Sequence, residues 1–333
     1  MFIRPDNLNI INFEFTDFCN AACPMCSRFN ENDGTLNTAK VNSNHTTLEV
    51  LQKRIPEKII MQLKKVHSIG TYGDPVMNPE VLEIYEWIRK LNPTCMLQMH
   101  SNGGARDEMF WRRCAELGIR VTFGIDGLED TNHLYRRNVK WSKLMENVKA
   151  FVQAGGVAYW SYLIFKHNEH QVAQAEKLSQ DLGFYAFDVR WTDRFNKSNW
   201  ITGEMQNLDK WPVDDYFIEK TTVQPKTENK EKLRPPVYQE AVDHQRKVVC
   251  QMASNLNYEI YIRATGVVQP CCMLGDLDVH ESKRLIKDYK SVNINHTDLV
   301  DILEGEYFKL LDEGINQGTS ARLKNCFYTC GVK

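Results

Sequence analysis

At 333 residues the chain is long enough for one large core or two domains, and its 42% hydrophobic and 25% charged residues are those of an ordinary globular protein. A formal net charge of −2 gives no general attraction to nucleic acid, and no run of about eighteen apolar residues exists to cross a membrane as a helix. Residues 1–15 lack the apolar centre of a secretory signal, so the ten cysteines are expected in the reducing cytoplasm, where thiolates serve metals more often than disulfides.

Alternation predicts a first strand over residues 9–16. Directly after it, Cys19, Cys23 and Cys26 give the spacing C-x3-C-x2-C within one short loop. Three thiolates are one fewer than a closed structural metal site uses, so a metal or cluster held here keeps one position for another molecule. A zinc knuckle would need a fourth ligand, and the nearest candidate, His45, lies beyond an Asn-rich loop. Helical patterns follow at 47–64 (interrupted near Pro56), 79–91, 107–117, 141–154 and 169–182. Strand patterns at 66–72, 95–101, 119–125, 157–165 and 185–191 alternate with them. Six strands with intervening helices predict an α/β fold, a partial (β/α)6 TIM-like barrel with its site at the C-terminal strand ends.

The suggestive loops fall at those ends. Gly73-Asp74-Pro75 follows the second strand, where glycine lets backbone approach a ligand, although a plain strand-to-helix turn favours the same residues. Ser101 and Asn102 follow the third strand with short polar side chains that suit a ribose or carboxylate, or a helix cap. Gly124-Ile125-Asp126-Gly127 ends the fourth. On the sixth, Asp188 and Arg190 share a face, with Asp193 just beyond; they are candidates for catalysis, against a salt-bridged rim.

The three-cysteine loop resembles that of the radical S-adenosylmethionine (SAM) superfamily. The resemblance implies a 4Fe-4S cluster on Cys19, Cys23 and Cys26 whose fourth iron binds SAM, and reductive cleavage of SAM to a 5′-deoxyadenosyl radical that abstracts hydrogen from substrate. It implies that Gly73, Asp74 and Pro75, in the place of the superfamily's G-G-E-P loop, contact the SAM amino group, with Asp for Glu. Ser101, Asn102 and Asp126 are further expected SAM contacts, although the serine of the related S-I-D-G pattern is Gly124 here. Arg136 lies where relatives carry an arginine for the SAM carboxylate, and Met25 replaces an aromatic residue that covers adenine.

Residues 201–245, polar, charged and proline-bracketed in their centre, read as a linker or mobile segment between a barrel at 1–200 and a small α+β domain at 246–333. In the latter, Cys250 is followed after fifteen residues by Gly266 and after four more by Cys271, with Cys326 and Cys330 downstream. A hairpin over 258–269 brings the first two together, so that four thiolates converge on zinc or an iron–sulfur cluster. Alternation on a strand lets only one of Cys271 and Cys272 be a ligand, and Cys95 and Cys114 read as core thiols. The spacing resembles the opening of SPASM and Twitch domains, which implies one auxiliary 4Fe-4S cluster on Cys250, Cys271, Cys326 and Cys330. The implied reaction is an oxidation or dehydrogenation with electron transfer to that cluster, fed by a donor such as flavodoxin or ferredoxin. The early first strand leaves no room for a leader-peptide-binding domain, so a small polar molecule, or a peptide presented by a partner, is the expected substrate. A peptide-modifying maturase of the RiPP type is the alternative; an Fe–S or zinc-binding regulatory protein without radical activity is the alternative of another class.

Overall fold

The computed structural model describes residues 3–30, 34–192, 194–198, 205–207, 209–213, 216–224, 250, 252–254, 257–274, 280–316, 323 and 326. Six parallel strands, β1 (Ile10–Phe13), β2 (Lys65–Ser68), β3 (Met96–Ser101), β4 (Ile119–Gly124), β5 (Ala158–Leu163) and β6 (Ala186–Arg190), lie side by side in chain order. Helices α1 (Leu48–Arg54), α2 (Glu57–Gln62), α3 (Val81–Leu91), α4 (Glu108–Glu116), α5 (Asn132–Tyr135), α6 (Trp141–Gln153) and α7 (Val172–Leu182) connect them. This is the expected partial barrel, with the break near Pro56 dividing α1 from α2.

Local chemistry sets the boundaries. Thr47 and Asp107 cap α1 and α4 by accepting from the backbone N–H of Val50 and Phe110. Gly183, at φ 84°, ends α7 in a left-handed conformation that suits glycine. On α3, Val81, Ile84, Tyr85 and Ile88 recur at helical spacing and are all buried. They join a core that runs between sheet and helices, with Ile11, Phe13, Val66, Leu97, Met99, Val121, Phe123 and Trp160 from the strands. Cys95 and Cys114 are buried in it as thiols. Because strand side chains alternate, the other face of each strand points into the barrel, and there the residues are polar: Asn12, His67, His100, Thr122, Ser161 and Asp188.

The C-terminal segment joins the barrel sheet through one strand. β12 (Asn257–Ile262) pairs in parallel with β1, register Ile10↔Glu259 to Phe13↔Ile262, and so extends the barrel sheet. The Asn9 side chain accepts from Tyr258 N–H at 3.0 Å and fixes the entry to this pairing. The hairpin itself is present: β12 turns through Gly266, at φ 87°, into β13 (Val268–Gln269). A short antiparallel strand, β11 (Ala253–Ser254), precedes it. The expected linker also holds structure. Two antiparallel pairs precede these elements, β7 (Asn196–Ser198) with β8 (Met205–Asn207) and β9 (Lys210–Val213) with β10 (Tyr216–Glu219). Trp211, Val213 and Ile218 are buried, and Tyr216 donates to the carbonyl of Leu134 at 2.6 Å, because apolar residues within a polar stretch still seek cover. Residues 225–249 lie outside the described residues. Among the described residues no helix is long and apolar enough to cross a membrane.

Candidate functional site

Cys19, Cys23 and Cys26 share one pocket of about 250 Å3 at the C-terminal ends of the strands. Gly73 and Asp74 from the loop after β2, Ser101 and Asn102 from the loop after β3, and Arg136 line the same space. His100, Thr122 and Ser161 form its floor. A larger groove of about 710 Å3, lined by Pro5, Gln62 and Phe308 among others, lies at the opposite, N-terminal end of the barrel and contains no thiol.

A carboxylate absent from the sequence-based candidates organises this end. Glu14, buried just past β1, accepts from the backbone N–H groups of Thr71, Tyr72 and Gly73 at 3.0, 2.9 and 2.9 Å, and from the Tyr261 hydroxyl at 2.7 Å. Burial raises its pKa while these donors oppose the rise. Alternation carried the signal, since Glu14 continues the inward face of Ile10 and Asn12; nothing local in the sequence named its partners.

Gly73 lines the pocket, but the close approach that demands glycine is to protein. A Cβ here would overlap the carbonyl oxygen of Thr16 and lie 2.9 Å from that of Phe18. Asp74 N–H donates to the same Phe18 carbonyl at 3.0 Å, which fastens the loop to the cysteine loop. The Asp74 carboxylate turns sideways and accepts from Ser101 Oγ at 3.0 Å and Asn102 N–H at 2.8 Å, bracing the next loop. Pro75 begins a buried 3-10 turn. Asn102 Nδ2 in turn points at Cys19 Sγ, 3.6 Å away, and donates to Asn20 Oδ1 at 2.9 Å.

Asp126 does not line the pocket. It is fully buried and grips Arg136, whose Nε donates to Oδ2 at 2.6 Å, while Leu163 N–H donates to Oδ1 at 2.7 Å. Burial opposes the charge on Arg136, but the Asp126 carboxylate and the Cys23 thiol hold it protonated. Arg136 Nη1 lies 3.8 Å from Cys23 Sγ. The guanidinium also explains Gly124 in place of serine: a Cβ there would overlap Arg136 Nη2 and stand 3.0 Å from Cζ. The Met25 side chain is buried in the core and does not line this pocket, and the Met25 carbonyl accepts from Arg194.

Burial, with the Asp74 charge, pushes the Cys19 thiol up to about 12; burial pushes Cys23 up to about 11 although Arg136 opposes it. Thiols so shielded stay protonated at neutral pH unless a positive centre replaces the proton. The donors aimed at their sulfurs, Ala21 N–H at 3.4 Å from Cys19, Asn102 Nδ2 and Arg136, are of the kind that stabilises cluster thiolates. The set therefore fits an iron–sulfur cluster, with Arg136 and the Gly73 loop lining the same pocket as the three thiols. Among the described residues no three His, Cys, Asp or Glu groups, these thiols included, are gathered closely enough to hold a single metal ion, so the fit to a cluster rests on the residue types and on the donors aimed at the sulfurs.

Asp188 and Arg190 form an exposed pair, 2.8 Å apart and 58% and 55% accessible, and neither lines the pocket. They fit the rim reading. Asp193 lies outside the described residues. His100, which sequence reasoning passed over, is an inward-facing residue of the pocket floor beside Thr122 and Ser161. Burial, with the charges of Arg190, His67 and Lys65, pushes its pKa down to about 4, so it is a neutral imidazole at pH 7.

The second thiol set forms around Cys271, whose pKa is raised by burial and by the nearby thiols of Cys326, Cys272 and Cys250. Cys272 thus belongs to the group. It opens a 3-10 turn (Cys272–Leu274) rather than continuing a strand, so alternation does not send it away from Cys271. Cys330 lies outside the described residues.

No curated protein sequence matches this chain. In fold it is similar to SuiB from Streptococcus suis, at TM-score 0.57 and 12% identity over 93% of this chain and 68% of SuiB. It is similar likewise to anSMEcpe with bound AdoMet, at TM-score 0.55 and 14% identity over 91% of this chain and 82% of that one. Residues 13–178, from β1 through the thiol loop to α7, match the Radical SAM superfamily model, and the chain carries a radical SAM domain.

Proposed function

We propose that the protein is a cytoplasmic enzyme that cleaves SAM reductively, takes a hydrogen atom from its substrate, and completes an oxidation by passing the remaining electron to an auxiliary 4Fe-4S cluster. The observation that carries this reading is the shared pocket, in which three thiols meet the loops after β2 and β3 and the Arg136 guanidinium. Bound together, the N-terminal cluster and SAM supply a carbon radical that no side chain can generate. Cys19, Cys23 and Cys26 hold the cluster. Arg136, oriented by Asp126, offers its remaining N–H groups to the SAM carboxylate, and backbone carbonyls of the Glu14-fastened loop accept from its ammonium group. His100, Thr122 and Ser161 give the substrate a polar floor, with the neutral imidazole able to accept a proton. Cys250, Cys271, Cys326 and Cys330 hold the auxiliary cluster, and a flavodoxin or ferredoxin supplies the first electron.

The test is anaerobic reconstitution followed by SAM and dithionite. Formation of 5′-deoxyadenosine and methionine is expected; its absence in protein that binds SAM and holds iron overturns the reading in favour of a regulatory iron–sulfur protein. A second reading, a peptide-modifying enzyme, is favoured by what two fold relatives bind: SuiB with precursor peptide SuiA, and anSMEcpe with the Cp18Cys peptide. Both readings share the radical step and differ in substrate.

A further inference from the structure

The surroundings of Cys271 leave one buried donor over. Gln269, two residues before Cys271, is fully buried, and its side-chain Nε2 is shut off from solvent with no hydrogen-bond partner among the described residues. Native chains rarely bury an amide in that state. The other half of the same amide is in use: Oε1 accepts from the Tyr307 hydroxyl at 2.5 Å.

Both ends of this glutamine are fixed. Its backbone pairs with that of Tyr261 across the β12–β13 hairpin, so the two side chains leave the same face of the ladder, and Tyr261 is itself tied to Glu14 at the edge of the thiol pocket. Tyr307, which holds the amide oxygen, is buried in the first turn of the helix Glu306–Asn316, its ring edge-on to that of Phe308 at 5.6 Å. Nε2 therefore cannot swing out to water.

Tyr307 also ties the amide to the second thiol set. Burial, and after it the nearby thiols of Cys326 and Cys271, raise the pKa of the phenol. It stays protonated and keeps donating to Oε1, which leaves the N–H2 end of the amide as the unused donor of this thiol-lined region. An iron–sulfur cluster carries much of its negative charge on its sulfurs, and that charge grows when the cluster takes up an electron. A nearby N–H donor favours the reduced form over the oxidised one and raises the potential.

We propose that Gln269 donates from Nε2 to a sulfur of the auxiliary cluster, with Tyr307 orienting the amide, and so raises the potential at which that cluster accepts the electron left by substrate oxidation. The proposal rests on the auxiliary-cluster reading above. It gives the buried Nε2 a partner and accounts for the orientation of the amide, since the opposite one would set a carbonyl oxygen among thiolates.

The test uses the full-length Cys19→Ala/Cys23→Ala/Cys26→Ala chain, reconstituted anaerobically so that any iron–sulfur signal comes from the C-terminal set. Its electron paramagnetic resonance is followed through a potentiometric titration with dithionite. Gln269→Leu, added to this parent, keeps the bulk and removes the donor; the one-electron equilibrium is expected to move at least ten-fold toward the oxidised form, a midpoint lower by about 59 mV. Tyr307→Phe, which frees the amide and keeps the ring, should move it the same way by less. Val268→Ala, a cavity at the neighbouring strand position, should lower the thermal unfolding midpoint and leave the potential where it was. An unmoved potential in Gln269→Leu with its iron intact, or an equal shift in Val268→Ala, overturns the proposal and leaves the cluster reading standing. If Gln269→Leu holds no iron, an unmoved potential in Tyr307→Phe overturns it in the same way. Zinc in place of iron in the parent chain overturns the cluster reading and the proposal together.

Discussion

Cys19, Cys23 and Cys26 sit on one loop whose surroundings are tied together by the protein itself, through Glu14, Asp74, Asn102 and the Asp126–Arg136 pair. Cys250, Cys271 and Cys326 come instead from separate segments, gathered beside the β11, β12 and β13 strands and the helix Glu306–Asn316, whose Tyr307 lies near Cys271 and Cys326. The first set is shaped before any metal arrives, which suits a site that must leave one iron free for a second molecule. The second set, drawn from separate segments, is the one that the proposed auxiliary cluster would hold together.

The most severe way to break this comparison is the triple variant Cys19→Ala/Cys23→Ala/Cys26→Ala. It is expected to abolish 5′-deoxyadenosine formation and to halve the iron from about eight to about four per chain, on the four-iron count of each cluster. Because the loop is braced by other residues, its thermal unfolding should shift little. Replacing Cys271 and Cys326 by Ala should do the reverse, leaving uncoupled SAM cleavage but abolishing product and destabilising the C-terminal segment, read by hydrogen exchange. Equal destabilisation by the two variants would erase the distinction.

Next in size is Glu14→Leu. It strands three backbone N–H groups and the Tyr261 hydroxyl, so urea unfolding should show a loss of about 2–4 kcal/mol and SAM binding should weaken. Arg136→Gln removes a charge-assisted bond, and calorimetry should find SAM bound about ten- to a hundred-fold more weakly. Gly124→Ser, which forces the guanidinium aside, should move affinity the same way by less.

The smallest expected effect is on pH dependence. His100 is pushed below its ordinary value, so the folded state favours the neutral ring. Its contribution to stability is complete above about 6.5 and is lost as pH falls toward about 4. Urea unfolding at pH 7, 5.5 and 4.5 should show a steeper acid loss in the wild type than in His100→Gln. Identical slopes would place the imidazole in contact with water.

Much of this was legible in the sequence because it is local. The cysteine spacing, the loops at 73–75 and 101–102 and the strand–helix alternation each declare themselves within a few residues. What was not legible depends on partners far away in the chain. Arg136 grips Asp126, Ser101 and Asn102 converge on Asp74 Oδ2, and Thr16 presses on Gly73, partners that no local pattern names. The parallel pairing of β12 with β1 leaves no local trace, since alternation marks a strand but not its neighbour. Cys272 escaped because a strand was assumed where the backbone turns.

The bond from Tyr261 to Glu14 spans 247 positions of sequence and, through Glu14, links β12 to the loop that frames the thiol pocket. Emergence from the ribosome therefore comes in the wrong order for this pocket: its cysteines are made long before Tyr261, one of its fastenings. Until β12 docks, the backbone groups of β1 that it will pair lie open as a strand edge, a template for wrong partners. Iron delivered before β12 is made would meet an unfinished cradle, and a nascent chain halted before residue 257 should aggregate rather than wait.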